Sequence, residues 1–235
     1  MVAGNKTRPR LPLIIELIGP AGAGKTTLSK ALSQRNKEIQ IGPDIELRKA
    51  KHLPIFFRSI PSSLPLLLHR LRPNGRLTWT ELKDIAYLEG WPDLLKRQAP
   101  NMGKVILLDQ GPVFRLATLQ EFGPEMLKGK PFQAWWFDVY QQWAATLDMV
   151  IWLDTSDTIL MERINTRSKK HDIKGKPDLE AQKFLLQYRR SYKDVLTKLA
   201  SYNGPAVSKF DTSKVSVEQI AEEITAACKL KLSAN

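Results

Sequence analysis

The chain has 235 residues, a net charge of +12 and a single cysteine, Cys228. A hydrophobic share of 43% argues against a disordered chain, and one cysteine rules out an internal disulfide and agrees with a reducing cytoplasm. The length suits one α/β domain or one domain with a helical insertion, and no apolar run approaches a membrane span, so the chain reads as soluble with no membrane partner.

The first ten residues are polar and basic and precede a strand signal, Leu13 to Ile18, interrupted by Glu16. That interruption argues against a signal peptide. Next comes Gly19-Pro20-Ala21-Gly22-Ala23-Gly24-Lys25-Thr26, which fits the phosphate-loop pattern G-x-x-x-x-G-K-[ST] in full. The glycines let successive N–H groups converge on one anion. Lys25 brings a point charge to the β- and γ-phosphates, and the Thr26 hydroxyl is a natural Mg²⁺ ligand. A helix from about Lys25 to Gln34, with Thr27 in its first turn, aims its positive end at the phosphates. The loop predicts binding of a nucleoside triphosphate.

A second strand is predicted at Glu38–Ile41, and Asp44 with Glu46 opens a helix after it. From Lys51 to Gly103 repeated prolines predict several short helices, among them Trp79 to Leu88 and Leu94 to Gln98. Strands follow at Lys104–Asp109, Met149–Asp154 and Ala206–Phe210. Helices are predicted at about Pro131–Leu147, Thr155–Arg167, Asp178–Tyr202 and Val215–Lys229. Trp136, Tyr140 and Trp143 share one face, which reads as core. Five short apolar strands separated by helices indicate a parallel sheet covered on both faces, with ligands outside the carboxyl ends of its strands.

Gly19, Asp44 and Asp109 all fall at such ends and are predicted to converge. Asp109 ends a hydrophobic strand, the usual place of a carboxylate that holds Mg²⁺. Arg163 and Arg167, four apart on one helix face, can stabilise the charge on a transferring phosphoryl group and help close the site. Asp44 is placed to accept the proton of an alcohol acceptor, or to cap a helix. No continuous basic run with interleaved aromatics is present, which disfavours a nucleic-acid partner.

The phosphate loop, the strand ending in Asp109, Val150-Ile151-Trp152-Leu153-Asp154, Arg163-x-x-x-Arg167 and the run Phe184-x-x-x-Tyr188-x-x-x-Tyr192 together resemble the thymidylate kinase and deoxynucleoside kinase group of P-loop kinases. The resemblance covers the first forty or so residues and most of the chain after Lys104. It implies the P-loop NTP hydrolase fold as a single domain over 1–235, with ATP and Mg²⁺ as cofactors. It also implies an arginine-bearing lid over 163–178, while the proline-punctuated stretch over 51–103, which the resemblance does not cover, reads as a helical acceptor-side insertion. The expected activity is transfer of the ATP γ-phosphate to a small-molecule acceptor.

The candidate catalytic residues are Lys25, Asp44, Asp109, Arg163 and Arg167. Gly19 through Thr27 and Arg163 are the nucleotide contacts, and Thr26 and Asp109 the metal ligands. Asp109-Gln110-Gly111-Pro112 departs from the group, which carries an arginine after the acidic residue. Gln110 therefore keeps open a non-nucleotide acceptor such as a sugar, antibiotic or other metabolite. A nucleic-acid-associated ATPase or a switch is the third reading, although the Asn-Lys-x-Asp and D-x-x-G signatures of a GTPase are absent. The insertion can serve the acceptor or a second subunit in a homodimer.

Overall fold

The computed structural model describes residues 12–42, 77–98, 103–168 and 171–234. Five strands, β1 (Leu13–Ile18), β2 (Ile39–Ile41), β3 (Val105–Asp109), β4 (Met149–Asp154) and β5 (Ala206–Asp211), form one parallel sheet in the order β2-β3-β1-β4-β5. Leu17 registers with Asp109, and Ile18 with Trp152. The carboxyl ends of the three central strands therefore finish at one edge, with β1 in the middle.

Helices α1 (Lys25–Arg35), α2 (Trp79–Gln98), α3 (Pro112–Phe122), α4 (Glu125–Lys128), α5 (Gln133–Ala144), α6 (Asp157–Thr166), α7 (Asp178–Ala200) and α8 (Val217–Ala234) cover the sheet. Strand side chains alternate between its faces, so two cores form. Ile14, Ile18, Ile106, Leu108, Val150 and Trp152 join one core with Trp91, Leu116, Trp143 and Val195. Leu13, Ile15, Leu17, Leu107 and Ile151 join the other with Leu28, Leu32, Ile220 and Cys228. Cys228 is buried, and burial pushes its thiol up to about 11, so it acts as a small apolar filler.

Of the predicted middle, residues 51–76 and 99–102 lie outside the described residues, and the described part differs from the sequence expectation. Trp79 to Gln98 is one helix that carries Pro92 inside it, not two short ones. A proline deprives the carbonyl four residues earlier of its helical partner. That carbonyl, on Leu88, accepts a hydrogen bond from the indole of Trp143 at 2.9 Å. Trp143 is fully buried and stacks at 5.8 Å on Tyr87. The break is thus satisfied from α5, and the helix continues. The core face predicted from Trp136, Tyr140 and Trp143 is present, with Trp136 partly buried and its indole donating to the Leu127 carbonyl.

A polar cluster stands where β4 ends. Asp154 is 7% exposed and receives Arg189 of α7 through Nε and Nη2 at 3.0–3.1 Å. Arg189 also reaches the Thr155 carbonyl and pairs with Asp157 at the start of α6. One guanidinium therefore joins a strand end to the two helices that flank the expected lid.

Replacing Trp143 by Phe keeps an aromatic in the core but strands the Leu88 carbonyl. We expect a loss of about 1–3 kcal/mol, the cost of a buried unsatisfied acceptor, measured by chemical denaturation. The same change in a Pro92→Ala background should cost less, because the helix then supplies the partner.

Candidate active site

The phosphate loop joins β1 to α1 at the middle of the sheet edge. Gly19, Gly22 and Gly24 adopt φ of 140°, 84° and 93°. At Gly19 a side chain is excluded twice over, because an added Cβ would stand 2.0 Å from the Leu153 carbonyl oxygen. The loop is thereby seated against the end of β4. Gly24, at the start of α1, is left-handed, and the first amides of the helix face the loop. Lys25 Nζ donates to the carbonyls of Gly19 at 2.6 Å and Pro20 at 3.0 Å, which holds the ammonium across the loop.

A cleft of about 520 Å³ opens over the loop. Gly19 to Gly22 and Gly24 to Thr27 form its floor, and Asp109 and Gln110 form one side. Arg163, Arg167, His171 and Asp172 come from the segment that follows β4. Phe114, Phe184, Tyr188 and Tyr192 make an aromatic wall, in which Phe114 stacks on Tyr188 at 6.4 Å and Phe184 meets Tyr188 at 5.0 Å. Ala23, one of the predicted nucleotide contacts, is fully buried in the second core instead and lines a smaller hollow of about 220 Å³ behind the loop.

Lys25, Thr26, Asp109, Arg163 and Arg167 are therefore brought to one cleft. Asp44 and Glu46 lie outside the described residues.

The two arginines do not share a helix face. Arg163 lies in the last turn of α6, and Arg167 is the residue after that helix, in extended conformation. The helix ends at Thr166, whose hydroxyl bonds back to the carbonyls of Glu162 and Arg163. Their environments differ as well. Arg163 donates to the Gly22 carbonyl and to both the hydroxyl and carbonyl of Thr212, at 3.0–3.3 Å. It therefore braces the loop against the β5–α8 connection. Arg167 Nε is buried and has no hydrogen-bond partner among the described residues.

Asp109 and Thr26 suit a hard divalent cation in their chemistry, since one offers a carboxylate and the other a hydroxyl beside a phosphate-binding loop. Both line the same cleft.

Sequence reasoning missed the residue beneath this arrangement. Glu16 in β1 is fully buried and faces the first turn of α3, where its two oxygens accept the backbone N–H groups of Val113 at 2.8 Å and Phe114 at 3.0 Å. Burial pushes its carboxyl up to about 8. The two N–H groups and the Arg115 charge pull it down, and Asp109 adds to the rise. Its interruption of an apolar strand was the available signal. The wall residues Tyr188 and Tyr192 had a signal too, in their four-residue spacing. Tyr192 is buried, and its hydroxyl is raised well above 10 by burial and by the nearby Tyr188, Glu16 and Asp109.

The profile of a family described as AAA domain matches residues 14–191, from the first strand into α7. No curated protein matches the chain. Among solved structures, the deoxyadenosine kinase of M. mycoides with products dCMP and dCDP superposes with a TM-score of 0.53 at 18% identity, covering 95% of this chain and 100% of that one. The same enzyme with bound dATP gives 0.51 at 16% identity, over 92% and 98%. YorR protein from Bacillus subtilis in complex with phosphorylated GDP gives 0.50 at 16% identity, over 94% and 98%. At these identities the likeness establishes the fold alone, an α/β fold with a five-stranded parallel sheet shared with these proteins. Among the described residues no helix is long and apolar enough to cross a membrane.

The raised carboxyl of Glu16 has a consequence for stability. Folded protein keeps this proton up to about 8, whereas the unfolded chain releases it near the ordinary 4.5. Between those values the unfolded state binds fewer protons, so stability falls as pH rises. We expect wild type to lose stability relative to Glu16→Gln across that window, and the difference to level off above it. Denaturant titrations from pH 4.5 to 9 measure this.

Proposed function

Because the chain belongs to the AAA-domain family, we propose that it is an ATP-dependent phosphotransferase of the nucleoside and nucleotide kinase type. It would move the γ-phosphate of ATP to a small-molecule acceptor. The observation that carries this reading is the meeting of Lys25, Asp109 and Arg167 around one cleft above the phosphate loop. These are the parts phosphoryl transfer uses: a carboxylate opposite the loop to hold the metal, and an arginine, its Nε without a partner among the described residues, to meet the transferring charge.

In this reading the backbone amides from Gly19 to Thr27 cradle the phosphates, and Lys25 turns its ammonium from the loop carbonyls to the β- and γ-oxygens. Thr26 and Asp109 are the residues that would hold Mg²⁺, which when bound neutralises charge on those oxygens. The hollow behind the loop, lined by Thr27, Arg163, Thr212 and Val217, lies where the nucleoside of ATP can rest. Arg167 meets the charge on the phosphoryl group as the acceptor oxygen bonds to phosphorus and the bond to ADP breaks. Arg163 shapes the loop and the hollow. Asp44 is our candidate to take the acceptor's proton.

The aromatic wall supports a flat, ring-bearing acceptor, as a nucleoside would be, since stacked side chains bind rings with little loss of freedom. The nucleotide-bound neighbours are in keeping with this. A second reading, a non-nucleotide acceptor, is favoured by Gln110. Its amide lines the cleft where the resembled kinases carry an arginine, and an amide pairs with neutral groups better than with a phosphate.

Turnover can be followed as ADP release across nucleosides, nucleoside monophosphates, sugars and aminoglycosides. We expect Lys25→Ala to abolish it with every acceptor while circular dichroism stays unchanged. Undiminished ATP consumption by that variant would rule out the kinase reading. We expect Arg167→Ala to lower kcat by ~10³-fold, within the range for such an arginine, with ATP affinity nearly unchanged. Arg163→Ala should weaken ATP binding as well, because it releases the loop. Equal ATP affinities for the two variants would show that the roles are not divided in this way.

A further inference from the structure

β1 carries a glutamate in the middle of a strand that is otherwise apolar and completely buried. Placing a carboxyl there is costly unless its oxygens are satisfied. Both are, by the amides of Val113 and Phe114, so a side chain from the central strand closes the N-terminus of α3. The helix has no cap of its own, because Gly111 offers no side chain and Pro112 no N–H.

The turn that enters α3 is fitted to this carboxyl. Gly111 has φ of −76°, which any residue can adopt, so backbone freedom does not explain the glycine. Space does, since a Cβ at this position would lie 2.9 Å from the Glu16 carboxyl carbon. One residue earlier, Gln110 is left-handed at φ 57°, an unusual conformation for a residue with a side chain. Asp109 and Gln110 on one side of Gly111, and Phe114 on the other, all line the cleft. The charged and titratable groups around Glu16 are Asp109 at the end of β3, Arg115 on α3 and Tyr192 on α7.

We propose that Glu16 is a positioning residue: by holding the first turn of α3 from below, it fixes where Asp109, Gln110 and Phe114 stand in the cleft. It touches neither nucleotide nor acceptor, since it does not line the cleft. The proposal rests on the kinase reading in that Asp109 is taken as a Mg²⁺ ligand. It adds that the metal half of the site depends on a buried residue outside the motif.

Glu16→Gln is the direct probe, because the amide nitrogen cannot accept and would face a backbone N–H. Affinity for a fluorescent ATP analogue would be measured on the full chain in EDTA and again in excess Mg²⁺. In wild type, Mg²⁺ should tighten binding. In Glu16→Gln we expect affinity in EDTA within twofold of wild type and at least a tenfold loss of the Mg²⁺-dependent increment. A general loosening of the fold would instead weaken both measurements together.

Gly111→Ala serves as the second variant and decides the matter where Glu16→Gln does not fold. It leaves Glu16 in place but pushes on its carboxyl from the turn, and we expect the same selective loss. A full Mg²⁺ increment in either folded variant, or an equal loss in both conditions, would overturn the positioning role and leave the kinase reading standing. Failure of wild type to bind the analogue at all would overturn both. A wild type that binds it with no Mg²⁺ increment would remove Asp109 as a metal ligand, and the proposal with it.

Discussion

The close approach of Gly19 to the Leu153 carbonyl is the constraint on which the site depends. It presses the phosphate loop onto the end of β4, so the loop is located by the sheet and not only by its own glycines. From that seat the rest follows in order. The parallel register brings Asp109 to the neighbouring strand end, α1 starts with its amides toward the loop, and Arg163 spans from Gly22 to Thr212 to close the far side. Rigid elements supply the positions, and the side chains that face the cleft come from the segments between them.

The phosphate loop was legible because its physics is local. A backbone that must take positive φ selects glycine, and a phosphate selects a lysine next in sequence, so both needs are written side by side in Gly19 to Thr26. The sheet was legible for a similar reason. Strands buried on both faces are continuously apolar, and those at 105–109 and 149–154 stood out between helices, whereas the edge strand at 206–211 is largely exposed and more mixed in sequence. Asp109 could be found because a carboxylate at the end of such a strand breaks the pattern.

What escaped was set by contacts between distant segments. Helical spacing put Arg163 and Arg167 on one face, but the helix stops before Arg167, and Arg163 is held by Gly22 and Thr212 while Arg167 Nε has no partner among the described residues. Prolines suggested a broken middle, yet the carbonyl freed by Pro92 finds the indole of Trp143. Glu16 read as an oddity in a strand because its partners, Val113 and Phe114, are almost a hundred residues away. Arg189 carried no signal of its own in the sequence, yet it is tied into Asp154, Thr155 and Asp157. A charge is read correctly from sequence only when its partner is near in sequence.

The bond between Trp143 and Leu88 also bears on how such a chain can change over time. Pro92 creates the need for a donor and Trp143 meets it, so neither residue has a fixed value of its own. A lineage that lost the indole first would carry an orphaned carbonyl. One that lost the proline first would leave the tryptophan without a duty beyond packing, and therefore free to drift. The order of substitutions, and not only their identity, decides which sequences remain open to this fold.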